Sequence, residues 1–281
     1  GCGVREVGDA LACAELLAVV CGCAGTATVD GANAASAGDA ESRRAVGMGV
    51  VQVLLAACAG AESDEVTVDG ARGEADDVAS TSTSSSSLTA FSARGDALMQ
   101  SIRTVFHVAM IGEDETLRGV AKTALTQIIN AAFKRAEPGF ATEGPMVLDE
   151  STGEPKSGAL RDVLNLLLTL CKIAAREGPV DQDAYLTHSK ALALDILRQL
   201  LEGPRASIWL ERFHAQLRQP LSVALMRNAL LQVPPGSEAE QSIGILVSIA
   251  RMAYGTLVVR GRAHWKQQVA ALYPMMALHP L

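Results

Sequence analysis

The stretch from Leu98 to Arg135, LMQSIRTVFHVAMIGEDETLRGVAKTALTQIINAAFKR, decides the fold. Its first half puts Leu98, Ile102, Val105, Phe106 and Met110 on one stripe at helical period, with Arg103 and His107 off it. In the second half Leu117, Val120, Ala121, Ala124, Leu125, Ile128, Ile129, Ala132 and Phe133 keep that spacing, while Arg118, Lys122, Gln127, Lys134 and Arg135 fall mostly on other faces. Between the halves Gly112 suits a left-handed helix end, and Asp114 or Glu115 suits the positive N-terminus of the next helix. The stretch reads as an αα-hairpin, with Ile128 and Phe133 expected in its core.

Outward from the hairpin the pattern stays helical. Upstream, helices are expected over Val4 to about Ala24 and Glu41 to Ala59. Between the second of these and the hairpin, Ala61 to Ser92 holds an acidic run and then eight consecutive Ser or Thr residues, Ser80 to Ser87. Such a segment buries too little apolar surface to offset the entropy of ordering it, so a disordered insertion is expected over about 61–92. Downstream, Glu137 to Gly158, with Pro138, Pro145 and Pro155, has the composition of a linker. Helices are then expected over Ala159–Ala175, Asp183–Leu201, Ala206–Arg218, Leu221–Gln232, Ser237–Leu257 and Arg262–Leu278, divided by Gly178-Pro179, Gly203-Pro204, Pro220, Pro234-Pro235 and Gly261. Consecutive helices joined by short turns predict an all-α fold, a HEAT- or armadillo-like α-solenoid of helical hairpins with essentially no sheet. An irregular helical bundle is the structural alternative. The expected organisation is 1–137 as a first helical domain, 138–158 as linker and 159–281 as a second.

Composition agrees. The chain is 49% hydrophobic but only 4% aromatic, which favours a core of Leu, Val, Ile and Ala. Residues 61–80 carry a net −6 of the chain's −7, so the remainder is near neutral and bulk charge suggests no nucleic acid. Six scattered cysteines, without CxxC pairs and neighbouring histidines, read as reduced thiols, and no metal or cofactor is expected. Glu15, with Glu6 and Asp9 ahead of it, argues against a signal peptide at residues 10–24. A start at Gly1 without methionine leads to the expectation of a piece of a longer cytosolic protein.

Several stretches together resemble the N-terminal region of the large Arf guanine-nucleotide exchange factors of the brefeldin A-inhibited, Sec-seven type. They are Ile102-Arg103-Thr104, Ala121 to Asn130 (AKTALTQIIN) and Phe133-x-Arg135, then Leu164 to Ala175 (LNLLLTLCKIAA), His188-Ser189-Lys190 and Pro220 to Asn228 (PLSVALMRN). The resemblance implies a dimerisation and cyclophilin-binding (DCB) domain over 1–137 and a truncated homology-upstream (HUS) domain over 159–281. It implies a regulatory, dimerisation and recruitment module in Golgi vesicle trafficking. Homodimerisation would run through the first part, and recruitment through an Arf or Arf-like GTPase. The location implied is cytoplasmic, in peripheral contact with the trans-Golgi membrane. Neither the family's HUS box, with its Asn-aromatic-Asp-Cys core, nor its catalytic exchange domain occurs in these 281 residues.

The residues themselves offer little chemistry. None of His107, His188, His214, His264 and His279 stands in a helical ligand pair. The carboxylates Glu113, Asp114 and Glu115 share one solvated turn, and no GxSxG elbow or P-loop is present. The chain is therefore expected to be non-catalytic; a generic HEAT-repeat adaptor and a helical enzyme with an inter-helix pocket are the alternatives. Two surface constellations are candidates. Arg103, Lys122, Thr126, Gln127, Asn130 and Arg135 on the hairpin form a polar strip of the kind that holds a protein partner, or else a solvated helix face. Arg251, Arg260, Arg262 and Lys266, next to Tyr254 and Trp265, would meet a membrane or an acidic partner, or are scattered surface cations.

Overall fold

A computed structural model describes residues 37–59, 93–111, 114–142, 147–149, 155–180, 183–232, 236, 239–261 and 265. The expected helix at Val4–Ala24, the acidic and serine-rich segment at 61–92, Gly112, residues 143–146 and 150–154 of the proposed linker, and the last helix apart from Trp265 lie outside the described residues.

Eight helices are described: α1 (Ala37–Ala59), α2 (Gly95–Ile111), α3 (Glu115–Ala141), α4 (Gly158–Ala174), α5 (Ala184–Glu202), α6 (Ala206–Arg212), α7 (His214–Ala229) and α8 (Glu240–Arg260). The fold is an all-helical solenoid. Its only sheet-like feature among the described residues is an antiparallel bridge between Leu148 and Pro155, where the Lys156 N–H also donates to the Val147 carbonyl at 3.0 Å.

The opening hairpin forms along the apolar stripes its sequence carries. In α2 Leu98, Met99, Ile102, Val105, Phe106, Val108 and Ala109 are buried, while Arg103 and His107 face solvent. Asp114 caps α3, its Oδ1 accepting the Thr116 N–H at 3.1 Å. The chain enters α2 through Gly95 at φ +56°, a left-handed conformation that glycine adopts at no steric cost. The Gly95 N–H donates to Asp162 Oδ1 of α4 at 3.0 Å, so a carboxylate meets the positive end of α2.

Helix α1 runs parallel to α3. Arg44 pairs with Asp114 at 3.0 Å near one end, Gly47 lies against Leu117, and Cys58 meets Arg135 near the other. Since α2 is antiparallel to α3 and touches both, the three form one layer. The Ala93 N–H donates to the Ala57 carbonyl at 2.9 Å, so the chain leaves α1 and returns to α2 at nearly one point. Helix α3 then packs on α4. Beyond it α4, α5, α8 and α7 close a ring, α4 touching α5 and α7, and α8 touching the same two. One hydrophobic core extends unbroken from Val50 in α1 to Trp265 after α8.

Two helix boundaries depart from expectation. Helix α3 passes through Pro138 to Ala141, whereas the linker was placed from residue 138. A proline inside a helix costs about 3 kcal/mol, and here tertiary contacts offset it. Phe140 stacks edge-on to Phe213 at 5.6 Å and packs beside Phe133 at 6.4 Å. Similarly, the break expected at Pro220 falls at Phe213; Pro220 lies within α7. Phe213 is fully buried, and the change of direction there lets Trp209 and Leu217, on either side of it, both reach the core.

One helix, α8, is long and apolar enough to cross a membrane by length and composition among the described residues. Arg251 interrupts it, and Ile243, Leu246, Val247, Ala250, Ala253, Tyr254 and Leu257 are buried in a molecule where α8 packs on α5 and α7. That is the pattern of a helix packed by one face, with Ile245, Met252 and Val259 exposed on the other.

Candidate partner-facing surface

The face of α3 turned away from the core carries Gly119, Lys122, Thr123, Gln127, Asn130 and Lys134, all exposed. It is bordered by two grooves. One, of about 360 Å³, lies between α1 and α3 and is lined by Val51, Gln52, Leu55, Val120, Ala124 and Gln127 among others. The other, of about 310 Å³, lies between α3 and the α5–α6 turn, with Phe133, Phe140 and Trp209 in its wall and Asn130 and Lys134 beside them. Phe133 meets Trp209 edge-on at 6.1 Å, and Glu137 pairs with Arg205 across the same junction.

The structure thus brings Gln127 and Asn130 together as the residues between the two grooves, with Lys122 on the same exposed face. Thr126 is half-buried, and its hydroxyl donates to its own helix at the Lys122 carbonyl, 3.1 Å away. Arg103 is exposed on α2. Arg135 belongs elsewhere: its Nη1 donates to the Cys58 carbonyl at 3.1 Å, and its side chain is half-buried. Burial lowers its pKa from the ordinary guanidinium value, and nearby Arg94 adds to this, while the Cys58 and Asp162 side chains oppose it. Arg135 falls seven residues after Ile128 and so shares the buried side of α3, a signal present in the sequence.

Arg135 is one of a set. Arg212 of α6 donates to the Gly139 carbonyl at 3.2 Å and to the Thr142 carbonyl, at the end of α3. At the end of α4, Arg227 donates to the Ala175 carbonyl at 3.1 Å and Asn228 to the Ala174 carbonyl at 2.8 Å. Arg251 of α8 reaches the Ala229 carbonyl of α7 at 3.2 Å, and Arg260 reaches the Glu202 carbonyl of α5 at 3.1 Å. Each cation meets the negative end of a neighbouring helix and satisfies a carbonyl that has no partner within that helix. The two described members of the basic candidate, Arg251 and Arg260, are therefore helix caps; Arg262 and Lys266 lie outside the described residues. Sequence reading missed this role because caps supplied by another helix have no local spacing.

No group of three or more His, Cys, Asp or Glu residues able to hold a metal occurs among the described residues. His107 and His188 are exposed, and His214 stacks edge-on to Trp265 at 5.2 Å. Burial shifts two further titrations. The Cys171 thiol is pushed up to about 12, and Lys190 is lowered by burial and then by Arg227, with Glu177 opposing.

Residues 159–281, which begin one position into α4, match the family model described as Sec7-like HUS, the Mon2/Sec7/BIG1-like HUS domain. The chain is 24% identical over 249 residues to brefeldin A-inhibited guanine nucleotide-exchange protein 1 of Arabidopsis thaliana, covering 67% of this chain and 14% of that protein. It is 27% identical over 121 residues to exchange protein 2 of the same plant, covering 42% of this chain and 6% of that one. The corresponding figures for exchange protein 3 are 26% over 134 residues, 47% and 7%. The chain therefore spans a small fraction of the length of these relatives. Together the matches support a HUS region of the Sec7 and brefeldin A-inhibited type over residues 159–281.

Proposed function

We propose that this chain is a non-catalytic regulatory region of a large Arf guanine-nucleotide exchange factor, with residues 1–137 as a DCB-like part and 159–281 as the HUS part. In this reading it self-associates through the first part and is recruited, from the cytoplasm to the trans-Golgi, by an Arf or Arf-like GTPase. The observation that carries it is the HUS match over α4 to α8, on a unit whose core continues into the α1–α3 layer. The exposed strip of Lys122, Gln127 and Asn130 is the partner-facing surface in this reading, with Thr126 beside it on α3 and Arg103 exposed on α2.

Two measurements on the purified chain test the reading. Added to an Arf GTPase loaded with fluorescent nucleotide, it should leave nucleotide release at the unassisted rate; acceleration would place the chemistry here instead. Replacing Lys122 and Asn130 together with alanine should change stability by under about 1 kcal/mol, as at ordinary surface sites. The same double variant should sediment as a smaller species, or lose capture by an immobilised Golgi Arf-like GTPase. A variant that melts, sediments and binds like the parent would make the strip a solvated face.

A further inference from the structure

The two grooves beside α3 differ in chemistry. The one between α1 and α3 has no charged lining residue, so nothing in it selects a partner. The one between α3 and the α5–α6 turn combines an aromatic wall with a charged mouth. Phe133 and Phe140 of α3, Leu200 of α5 and Trp209 of α6 line it. The Phe133 ring lies 6.4 Å from Phe140 and 6.1 Å from Trp209, yet it is only half-buried, so a further ring entering here finds edge-to-face partners. At about 310 Å³ the space is at the small end of ligand clefts, which suits one large side chain rather than a nucleotide or a cofactor.

The mouth of this groove is positive. Lys134 and Arg205 line it against a single carboxylate, Glu137, with which Arg205 pairs. Behind the turn Arg260 donates to the Glu202 carbonyl at 3.1 Å and to that of Gly203, a lining residue, at 3.5 Å. The Glu202 carboxylate is held by Arg198 at 2.8 Å. Gln199, also at the rim, donates from Nε2 to Asp195 at 3.0 Å, while its carbonyl oxygen accepts no hydrogen bond among the described residues.

We propose that this groove binds a short acidic segment of a partner protein, seating one phenylalanine-type side chain against Phe133 and Trp209 and its flanking carboxylates against Lys134 and Arg205. The ring supplies the buried apolar area of an anchor residue. The rim cations supply orientation and encounter rate, and they select against basic segments. The carbonyl oxygen of Gln199 accepts a backbone N–H of the bound segment. Lys122, Gln127 and Asn130 are assigned no role in this contact, which therefore stands apart from the GTPase and self-association reading.

Fluorescence anisotropy on the full 281-residue chain tests the assignment, with a labelled peptide that carries one phenylalanine between two pairs of aspartates. It should bind at least about tenfold more tightly than the same peptide with serine for phenylalanine, and than one with lysine for every aspartate. Lys134→Glu, at an exposed position, should weaken binding by about fivefold and leave the melting curve in place. A benzophenone in place of the phenylalanine should, on irradiation, attach to segments carrying Phe133, Phe140, Leu200 or Trp209, mapped by mass spectrometry. That measurement uses the unsubstituted chain, so it decides the matter if Lys134→Glu disturbs α3. Absence of saturable binding would overturn the proposal, as would binding indifferent to the phenylalanine or cross-links confined to other parts of the chain. Neither nucleotide release nor GTPase capture enters this test, so the groove assignment and the functional reading fail separately.

Discussion

Arg135 and Cys58 meet 77 positions apart in the chain, the guanidinium of α3 donating to the last turn of α1 at 3.1 Å. The contact ties together the far ends of two parallel helices whose near ends are joined by Arg44 and Asp114. Of the two ties, the Arg135 one is the more sheltered. Arg135→Ala should destabilise the chain by about 1.5 to 3 kcal/mol, the range for a hydrogen bond involving a charged group. Arg44→Ala, at an exposed pair, should cost under about 1 kcal/mol. Urea unfolding of both variants against the parent checks the order, and equal costs would remove the special role of Arg135.

Ile128 and Phe133, both expected in the core, occupy different environments. Ile128 is fully buried, whereas Phe133 is half-buried at the rim of the α3–α6 groove, one side open. Ile128→Ala should therefore cost about 3 to 4 kcal/mol. Phe133→Ala should cost about 2 kcal/mol, less than a fully buried ring, through lost contact with Phe140 and Trp209. Thermal melts of the two variants give the comparison.

Two helical glycines should respond to alanine with opposite signs. A Cβ at Gly139 would stand 2.9 Å from Leu160 Cγ, a buried side chain between α3 and α4, so Gly139→Ala should destabilise by about 1 to 2 kcal/mol. A Cβ at Gly255, on the exposed side of α8, meets nothing within 4 Å. Gly255→Ala should stabilise by about 0.5 to 1 kcal/mol, because alanine has less backbone freedom to lose. Chemical denaturation midpoints report both signs.

Much of this was legible in advance. Amphipathic spacing marked the buried stripes of α2 and α3, and Asp114 was one of two acids, with Glu115, read as suiting the positive start of α3. Pro138 misled because the contacts that hold the end of α3, Phe140 on Phe213 and Arg212 on Gly139, join residues more than seventy apart. The polar strip was half visible. Helical period alone puts Lys122 and Asn130 outside, and applied to Arg135 it would have put that residue inside, beside Ile128. The grooves bordering the strip arise from α1 and α6 lying beside α3, which no local pattern encodes.

Burial holds the Cys171 thiol in its neutral form, with its pKa pushed up from 9.0 to about 12. The folded state thus keeps a proton that the unfolded chain releases near pH 9. The resulting stability is fully present below that pH and is lost as pH rises toward 12. Tyr254, also raised by burial, acts in the same direction, so the contribution of the thiol is read from the difference between parent and Cys171→Ala. The variant should lose stability less steeply above pH 9. In the folded parent at pH 8.5, iodoacetamide should leave Cys171 unmodified until denaturant is added.

The arginine caps have a direction in time. Arg135, Arg212, Arg227, Arg251 and Arg260 each seal a helix that precedes them in the chain, by 77, 73, 52, 22 and 58 positions for one carbonyl of each. On a ribosome adding about 5 to 20 residues per second, every such helix emerges seconds before the side chain that finishes its end. The nascent solenoid therefore carries a moving front of open carbonyls, and each layer hardens only when a later one arrives. A chain truncated and released between Gln232 and Glu240 would leave α5 and α7 formed but unsealed. It would do nothing to the ends of α1, α3 and α4, whose arginines have by then been made.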